Sequence, residues 1–297
     1  MNAVALLLPD FALILIGVAL YRWAGFDEPF WRGLERLVYF VLFPAMLFSS
    51  IAAARIDLAA TANLIGAALG AVIGGLLLGL ATVPLFRPQP ILFASGLQTA
   101  FRFNSYIALA TAGRLGGAEG VTLMALIMSF VVPVCNIASV TALARHGTTG
   151  LWRGLITNPL LLATISGLLF NLAGGVLPDI AAQTLSRLGS ASIALGLTAV
   201  GAGLRFEHQI PERRMVGWFI ATKLVAMPAI AWVLADLLHL PPLQRQIVIG
   251  FAALPTAPAA YILAVRMGGD GHIVAFLITT GTLLSLVTLP LWLSAVS

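Results

Sequence analysis

Long apolar stretches, interrupted by charges, prolines or paired glycines, dominate the pattern of hydrophobic and polar positions along this chain. A helix that spans the hydrocarbon core of a bilayer needs about 20 mostly apolar residues. The interruptions predict ten such helices joined by short loops, with no room for a separate soluble domain. The predicted segments, numbered 1 to 10 in chain order, are 3–23, 34–54, 59–86, 91–113, 119–143, 155–175, 185–205, 215–238, 244–266 and 272–295.

The composition narrows the class of protein further. The 297 residues are 60% hydrophobic and 9% charged, whereas a soluble domain has about 25% charged residues. This excludes a cytosolic enzyme, a nucleic-acid binder and a disordered regulator; the net charge of +5 is spread over single basic residues and does not form a stripe. Because Cys135 is alone and no Cys/His cluster exists, we expect no metal and no other cofactor. We also expect no enzyme activity, because the sequence offers no convincing pair of nucleophile and base and no metal set.

The arginines predict the orientation of the chain, because cytoplasmic loops carry an excess of Lys and Arg. With the N-terminus outside, ten arginines fall in inside loops and four in outside loops. We therefore expect both termini on the outer, periplasmic side of a bacterial inner membrane. The inside set is Arg22, Arg32, Arg36, Arg87, Arg145, Arg153, Arg205, Arg213, Arg214 and Arg266, and the outside set is Arg55, Arg114, Arg187 and Arg245.

A nearly constant offset between similar residues indicates an internal repeat. Pro90 recurs as Pro242, and Arg-Leu-Gly-Gly at 114–117 recurs as Arg-Met-Gly-Gly at 266–269, both at an offset of 152. The two repeats would be 1–150 and 151–297, with five crossings each. An odd number of crossings inverts the second repeat, and inverted repeats are typical of secondary transporters with a site near the bilayer midplane.

Two segments are predicted to be broken in mid-membrane. Segment 9 carries Pro255 and Pro258, and each proline removes a backbone donor and clashes with the preceding turn. A half-helix starting near Pro258 would direct its positive dipole end at the break, ready for an anion, although a simple kink is the alternative. At the offset of 152, the equivalent part of segment 4 is the polar stretch 98–106, which includes Arg102.

Two cations lie deep in predicted segments without nearby acids. Arg102 is about twelve residues into segment 4 and Lys223 about nine residues into segment 8, and charges inside a membrane mark functional sites by default. They indicate a watery cavity that receives an anion. The structural alternative is that each cation binds helix-end carbonyls or reaches the membrane interface.

The sequence resembles bacterial members of the auxin efflux carrier family over essentially its whole length. The resemblance rests on Phe-Pro-Ala-Met-Leu-Phe-Ser-Ser at 43–50, Asn158-Pro159-Leu160, Arg102-Phe103-Asn104, and the stretch from Ala253 through Pro255, Thr256, Pro258 and Tyr261 to Asp270. It implies an all-α polytopic membrane protein of ten helices in two inverted repeats, with the broken helices 4 and 9 crossing. Helices 1, 2, 6 and 7 would form a scaffold that dimerises, and helices 3–5 and 8–10 a transport domain that moves like an elevator.

The resemblance also carries Asn104, Pro255, Thr256 and Pro258 over as substrate-binding residues. Family members commonly have a proline shortly after that asparagine, where this chain has Ala110 and Thr111. This departure leaves open whether segment 4 unwinds as completely as segment 9.

We therefore expect a secondary carrier of a small organic mono- or dicarboxylate, auxin-like or malonate-like, with H⁺ or Na⁺ as coupling ion. The alternatives are a sodium-coupled anion symporter of the bile-acid type and a membrane receptor for such an anion. The partners would be the anion, the bilayer and a second copy of the chain, without nucleic acid. The predicted substrate-binding residues are Arg102, Asn104, Ser105, Lys223, Pro255, Thr256, Pro258 and Tyr261, with Gln98, Asn136 and Ser49 as ion-binding or supporting residues and no metal ligands.

Overall fold

The computed structural model of the protein describes residues 3–53, 58–146, 159–203 and 212–296, and these ranges are helical without any strand. The prediction of an all-α protein is confirmed for this part of the chain. The helices are α1 Ala3–Trp23, α2 Glu28–Leu37, α3 Phe43–Ala52, α4 Leu58–Leu80, α5 Thr82–Phe86, α6 Pro90–Leu97, α7 Ser105–His146, α8 Pro159–Leu172, α9 Asp179–Gly203, α10 Arg213–Ala221, α11 Met227–Leu237, α12 Pro242–Ala253, α13 Ala259–Arg266 and α14 Gly271–Val296.

Several helices join end to end into longer rods. A π-helical turn, Val38–Leu42, connects α2 to α3, and another, Thr222–Ala226, connects α10 to α11. A single 3₁₀ turn, Gln98–Ala100, extends α6. With these joins, the described part of each of the ten predicted segments is largely helical, and segments 4 and 9 are each interrupted near their centres.

Four of the described helical stretches are long and apolar enough to span a membrane, which shows a membrane-embedded, polytopic protein. They are Thr61–Phe86, Leu123–Ala144, Arg213–Leu237 and Gly271–Val296, and they match segments 3, 5, 8 and 10. The count of ten crossings, the inverted repeat and the orientation stay predictions. Four residues used in the sequence argument lie outside the described ranges, namely Arg55, Arg153, Asn158 and Arg205.

The boundary between segments 4 and 5 lies inside the long helix α7. Gly116 and Gly117 leave helical geometry there, and Gly117 has a φ of 55°, which a glycine adopts without strain. A Cβ on Gly120 would collide with the carbonyl of Ala112. The chain therefore reverses sharply at the predicted boundary, and the glycines permit the close approach.

The helices pack in two groups. In the first, α1 packs against α9, and α3 packs against both α8 and α9. The first contact is close enough that a Cβ on Gly17 of α1 would collide with the carbonyl of Thr198 in α9. In the second group, the broken segments 4 and 9 pack with α4, α11, α14 and the part of α7 that forms segment 5. These groups consist of the segments assigned to scaffold and transport domain, although that division stays a prediction.

Candidate functional site

Segment 9 is broken at its centre. Helix α12 ends at Ala253 and α13 begins at Ala259, and the backbone between them is not helical. Pro255 has no N–H to offer the carbonyl of Phe251, and that carbonyl instead accepts the N–H of Leu254 at 3.3 Å. The two prolines therefore unwind the helix, and the predicted break is confirmed.

Segment 4 is broken as well, without a proline. The 3₁₀ turn ends at Ala100, residues 102–104 have no regular secondary structure, and α7 begins at Ser105. The Asn104 side chain accepts the backbone N–H of Ile107 at 3.3 Å, which is the N-cap role that asparagine favours. This cap starts the second half-helix, and Ala110 and Thr111 in place of the family's proline do not prevent the break.

The two breaks cross and satisfy each other's polar groups. In hydrocarbon, freed backbone groups are tolerated only where protein or a cavity satisfies them. The phenyl rings of Phe103 and Phe251 also meet at 4.6 Å, edge to face. Three hydrogen bonds join the segments: Asn104 N–H to the Pro255 carbonyl at 2.8 Å, Thr256 Oγ1 to the Thr99 carbonyl at 2.9 Å, and Gln98 Nε2 to the Ala260 carbonyl at 3.0 Å.

A cavity of about 40 Å³ lies beside the crossing. The N-terminal ends of α7 and α13 both border it, and such ends carry partial positive charge. Its volume suffices for a few water molecules or one carboxylate group. The lining residues are Phe43, Met46, Arg102, Phe103, Asn104, Ser105, Val132, Cys135, Asn136, Ala257, Pro258 and Ala259.

Arg102 supplies a full positive charge to this cavity. Its side chain is only 7% exposed, and its Nη1 donates to Ser139 Oγ at 3.3 Å. Ser139 in turn donates to the carbonyl of Cys135 at 2.7 Å. Within the described residues, no carboxylate lies within ion-pair distance of this guanidinium. A buried charge without a counter-ion is costly, so this guanidinium is chemically suited to pair with an anion.

Asn136 adds an amide to the same cavity. It is 1% exposed, and among the described residues neither its Oδ1 nor its Nδ2 has a hydrogen-bond partner. Leaving a buried polar group unpaired costs about 1–3 kcal/mol, so this amide is available to a ligand. Gln98 Oε1 is likewise buried and unpaired, although its Nε2 joins the two breaks.

The other predicted residues of the two breaks divide into two sets. Ser105 and Pro258 line the cavity. Pro255 and Thr256 do not line it, and they instead supply the carbonyl and the hydroxyl that hold the crossing together. These two residues therefore shape the site.

Lys223, Tyr261 and Ser49 are predicted site residues that lie away from the cavity lining. Lys223 Nζ donates to the carbonyl of Ala252 at 2.8 Å, the arrangement that the structural alternative anticipated. The Tyr261 side chain hydrogen-bonds to Glu35 and borders two further cavities. Ser49 donates to the carbonyl of Met46 in its own helix.

Sequence reasoning missed Ser139 and the apolar wall of the site. Cys135, Asn136 and Ser139 have the spacing of one helix face, which would have associated Ser139 with the asparagine. Phe43 and Met46 bring helix α3 to the cavity, and both fall in the motif at 43–50. Nothing in the pattern alone indicated that this motif faces Arg102.

Comparisons with known proteins indicate a membrane transport protein. An uncharacterized transporter of Methanothermobacter thermautotrophicus is 25% identical to the chain over 98% of both proteins. The model of a family described as membrane transport protein matches residues 143–293, slightly more than half of the chain. On that match, the chain belongs to this auxin efflux carrier-like family of membrane transport proteins.

Proposed function

We propose that the protein is a secondary active carrier of a small organic anion that binds through a carboxylate beside the crossing of segments 4 and 9. The observation that carries this proposal is the buried guanidinium of Arg102, which has no acidic partner among the described residues and faces a cavity. Membership of a membrane transport family supports the transport part of the proposal.

Three sources of positive potential converge on the cavity. Arg102 can offer parallel N–H groups to both oxygens of a carboxylate, the strongest common form of this contact. The N-terminal ends of α7 and α13 add oriented backbone dipoles. In a site of low dielectric these contributions favour a carboxylate over a neutral or cationic solute.

The other lining residues indicate the rest of the substrate. Phe43, Met46 and Val132 form an apolar wall, which suits a short hydrocarbon or aromatic body. The Asn136 amide suits one further polar group on the substrate. Because Arg102 is the one cationic side chain in the described lining, we favour a monocarboxylate over a dicarboxylate such as malonate.

The origin of the residues that line the cavity supports alternating access. Phe43 and Met46 belong to α3, which packs against α8 and α9, whereas the other lining residues belong to segments 4, 5 and 9. The cavity is too small for a whole organic acid, so we propose that the two groups of helices slide apart to admit the substrate. An elevator movement against a dimeric scaffold in a bacterial inner membrane would achieve this.

Other functions fit the site less well. A cation or proton antiporter needs ionisable carboxylates at the crossing, and 98–106 and 251–261 contain none. A sodium-coupled symporter and a non-transporting receptor would use the same anion contacts. The transport experiment distinguishes both from the proposed carrier.

The test is uptake by purified protein in liposomes. Radiolabelled organic acids of increasing size, with one or two carboxylates, are presented with and without a proton gradient and with and without Na⁺. We expect saturable uptake of a small monocarboxylate, absent from protein-free liposomes. Saturable binding without flux would establish a receptor instead, and uptake of amines or neutral solutes alone would contradict the anion site.

A further inference from the structure

Lys223 is a buried charge that the proposed anion site does not use. Lysine and arginine together number 16 in the chain, and Lys223 is the single lysine among them. Its side chain is 2% exposed, and no described acidic side chain lies within ion-pair distance of it. A chain that otherwise uses arginine has therefore placed one compact ammonium in its interior.

The backbone around Lys223 holds the ammonium in one place. Lys223 lies in the π-helical turn Thr222–Ala226, a local widening of the helix. Pro228 has no N–H to offer the carbonyl of Leu224, and the indole N–H of Trp292 donates to that carbonyl instead, at 2.9 Å. From this turn, Nζ reaches the carbonyl of Ala252 at 2.8 Å and the sulfur of Met227 at 3.6 Å.

Ala252 is in the last turn of α12, directly before the break of segment 9. The last carbonyls of a helix lack intrahelical donors and carry partial negative charge. Pro255 removes one donor that could have continued the helix. The ammonium therefore offsets the partial negative charge at the carbonyl end of α12. Directly after this helix end, the Pro255 carbonyl accepts the N–H of Asn104.

In transporters with discontinuous helices, the carbonyl ends of half-helices and the unwound backbone coordinate the coupling Na⁺ or proton. Resting on the carrier function proposed above, we propose that Lys223 is a positioning residue. Its tethered ammonium takes the place of a bound monovalent cation at the carbonyl end of α12, so that anion transport requires no Na⁺.

The choice of lysine and the difference between the two breaks support this role. An ammonium is a compact point charge with three donors, like a small cation, whereas guanidinium is a wide planar group. At the offset of 152, the counterpart of Lys223 in the first half is Ala71. At that break, the carbonyl of Thr99 accepts the neutral hydroxyl of Thr256, so the ammonium serves one break alone.

The experiment compares three variants in proteoliposomes that contain Na⁺, K⁺ or N-methyl-D-glucamine as the only monovalent cation. Lys223→Met keeps the length of the side chain without its charge, Lys223→Ala leaves space for a free cation, and Lys223→Arg keeps a charge of the wrong shape. Methylammonium is added to the alanine variant as a diffusible replacement. The melting temperature of each protein is measured in the same salts.

We expect the uptake by the wild type to be equal in the three cations. The uptake by the methionine variant should be lower by about tenfold or more, the effect of losing one charge-assisted hydrogen bond. Uptake by the alanine variant should recover at least in part with Na⁺ or methylammonium, and its melting temperature should rise with the same cations. The arginine variant should stay impaired.

Wild-type uptake that requires Na⁺ would overturn the inference, and so would a methionine variant as active as the wild type. An alanine variant that no cation restores, in uptake or in melting temperature, would equally reject a tethered cation. If the wild type transports no anion in any salt, the proposed function fails, whereas the melting temperatures of the alanine variant still test the cation position.

Discussion

Substitutions of Arg102 distinguish an effect on substrate binding from an effect on folding. We compare Arg102→Gln, which removes the charge, with Arg102→Lys, which keeps it without the planar fork. Arg213→Gln is the matched control, because Arg213 is an exposed arginine at the start of α10. The first two changes should weaken substrate binding to different degrees, and the third should leave it unaltered.

The magnitude follows from the contacts of the guanidinium. Removing one partner of a buried, hydrogen-bonded charge pair costs about 2–5 kcal/mol, which corresponds to roughly 30-fold to 4,000-fold weaker binding. The lysine variant keeps the charge but loses bidentate contact, and we expect a loss of about tenfold, the size of one charge-assisted hydrogen bond.

Stability should respond differently from binding. Arg102 makes one described hydrogen bond, to Ser139, and Ser139 retains its own acceptor in the carbonyl of Cys135. Removing a buried charge that lacks a counter-ion relieves a desolvation cost. The melting temperature of the substrate-free glutamine variant should therefore equal or exceed that of the wild type.

The assay measures uptake into liposomes at a series of substrate concentrations, with the melting temperature recorded on the same purified protein with and without substrate. Wild-type protein should be stabilised by substrate, and Arg102→Gln should not be. Unchanged uptake by the glutamine variant would refute the assigned role. A fall in melting temperature parallel to the loss of uptake would show that Arg102 holds the fold together and does not act as an anion receptor.

Three further substitutions test neighbouring parts of the argument. Asn136→Leu should reduce uptake without lowering the melting temperature, because the Asn136 amide has no partner among the described residues. Asn171→Leu should lower the melting temperature, because the Asn171 amide donates to two carbonyls at the end of α3. Thr256→Val should destabilise the protein by about 1–3 kcal/mol, because it leaves the buried carbonyl of Thr99 unpaired. Thr256→Ser keeps the hydroxyl and should retain the wild-type stability, and melting curves measure both effects. Gly17→Ala should cost about 1–3 kcal/mol through overpacking of α1 on α9; melting temperatures equal to wild type would contradict that contact.

The positions of the helices could be predicted from the sequence, because the bilayer imposes a length and a composition on each spanning segment. The break at Pro255 and Pro258 was equally predictable, since a proline disrupts its own helix locally. The break beside Asn104 was less so: it depends on an asparagine cap and on a hydrogen bond to residue 255, far away in the chain.

The partners of the two deep cations could not be predicted from the sequence. Arg102 and Lys223 looked alike, because each is a charge near the middle of an apolar segment. Tertiary packing directs Arg102 to a cavity with an unpaired amide and Lys223 to the carbonyl end of α12. Tyr261 was likewise grouped with the substrate residues, although folding brings it to Glu35.

The sequence by itself determined the membrane setting, the helical segments, the break in segment 9 and the presence of buried positive charge. These properties depend on the composition of the chain and on neighbouring residues, so they can be deduced from local pattern. Only the tertiary structure decided which charge faces a cavity, which one caps a helix, and which side chains join the two breaks. The contacts between the two breaks link residues more than a hundred positions apart. The surroundings of both cations likewise depend on how separate helices pack together.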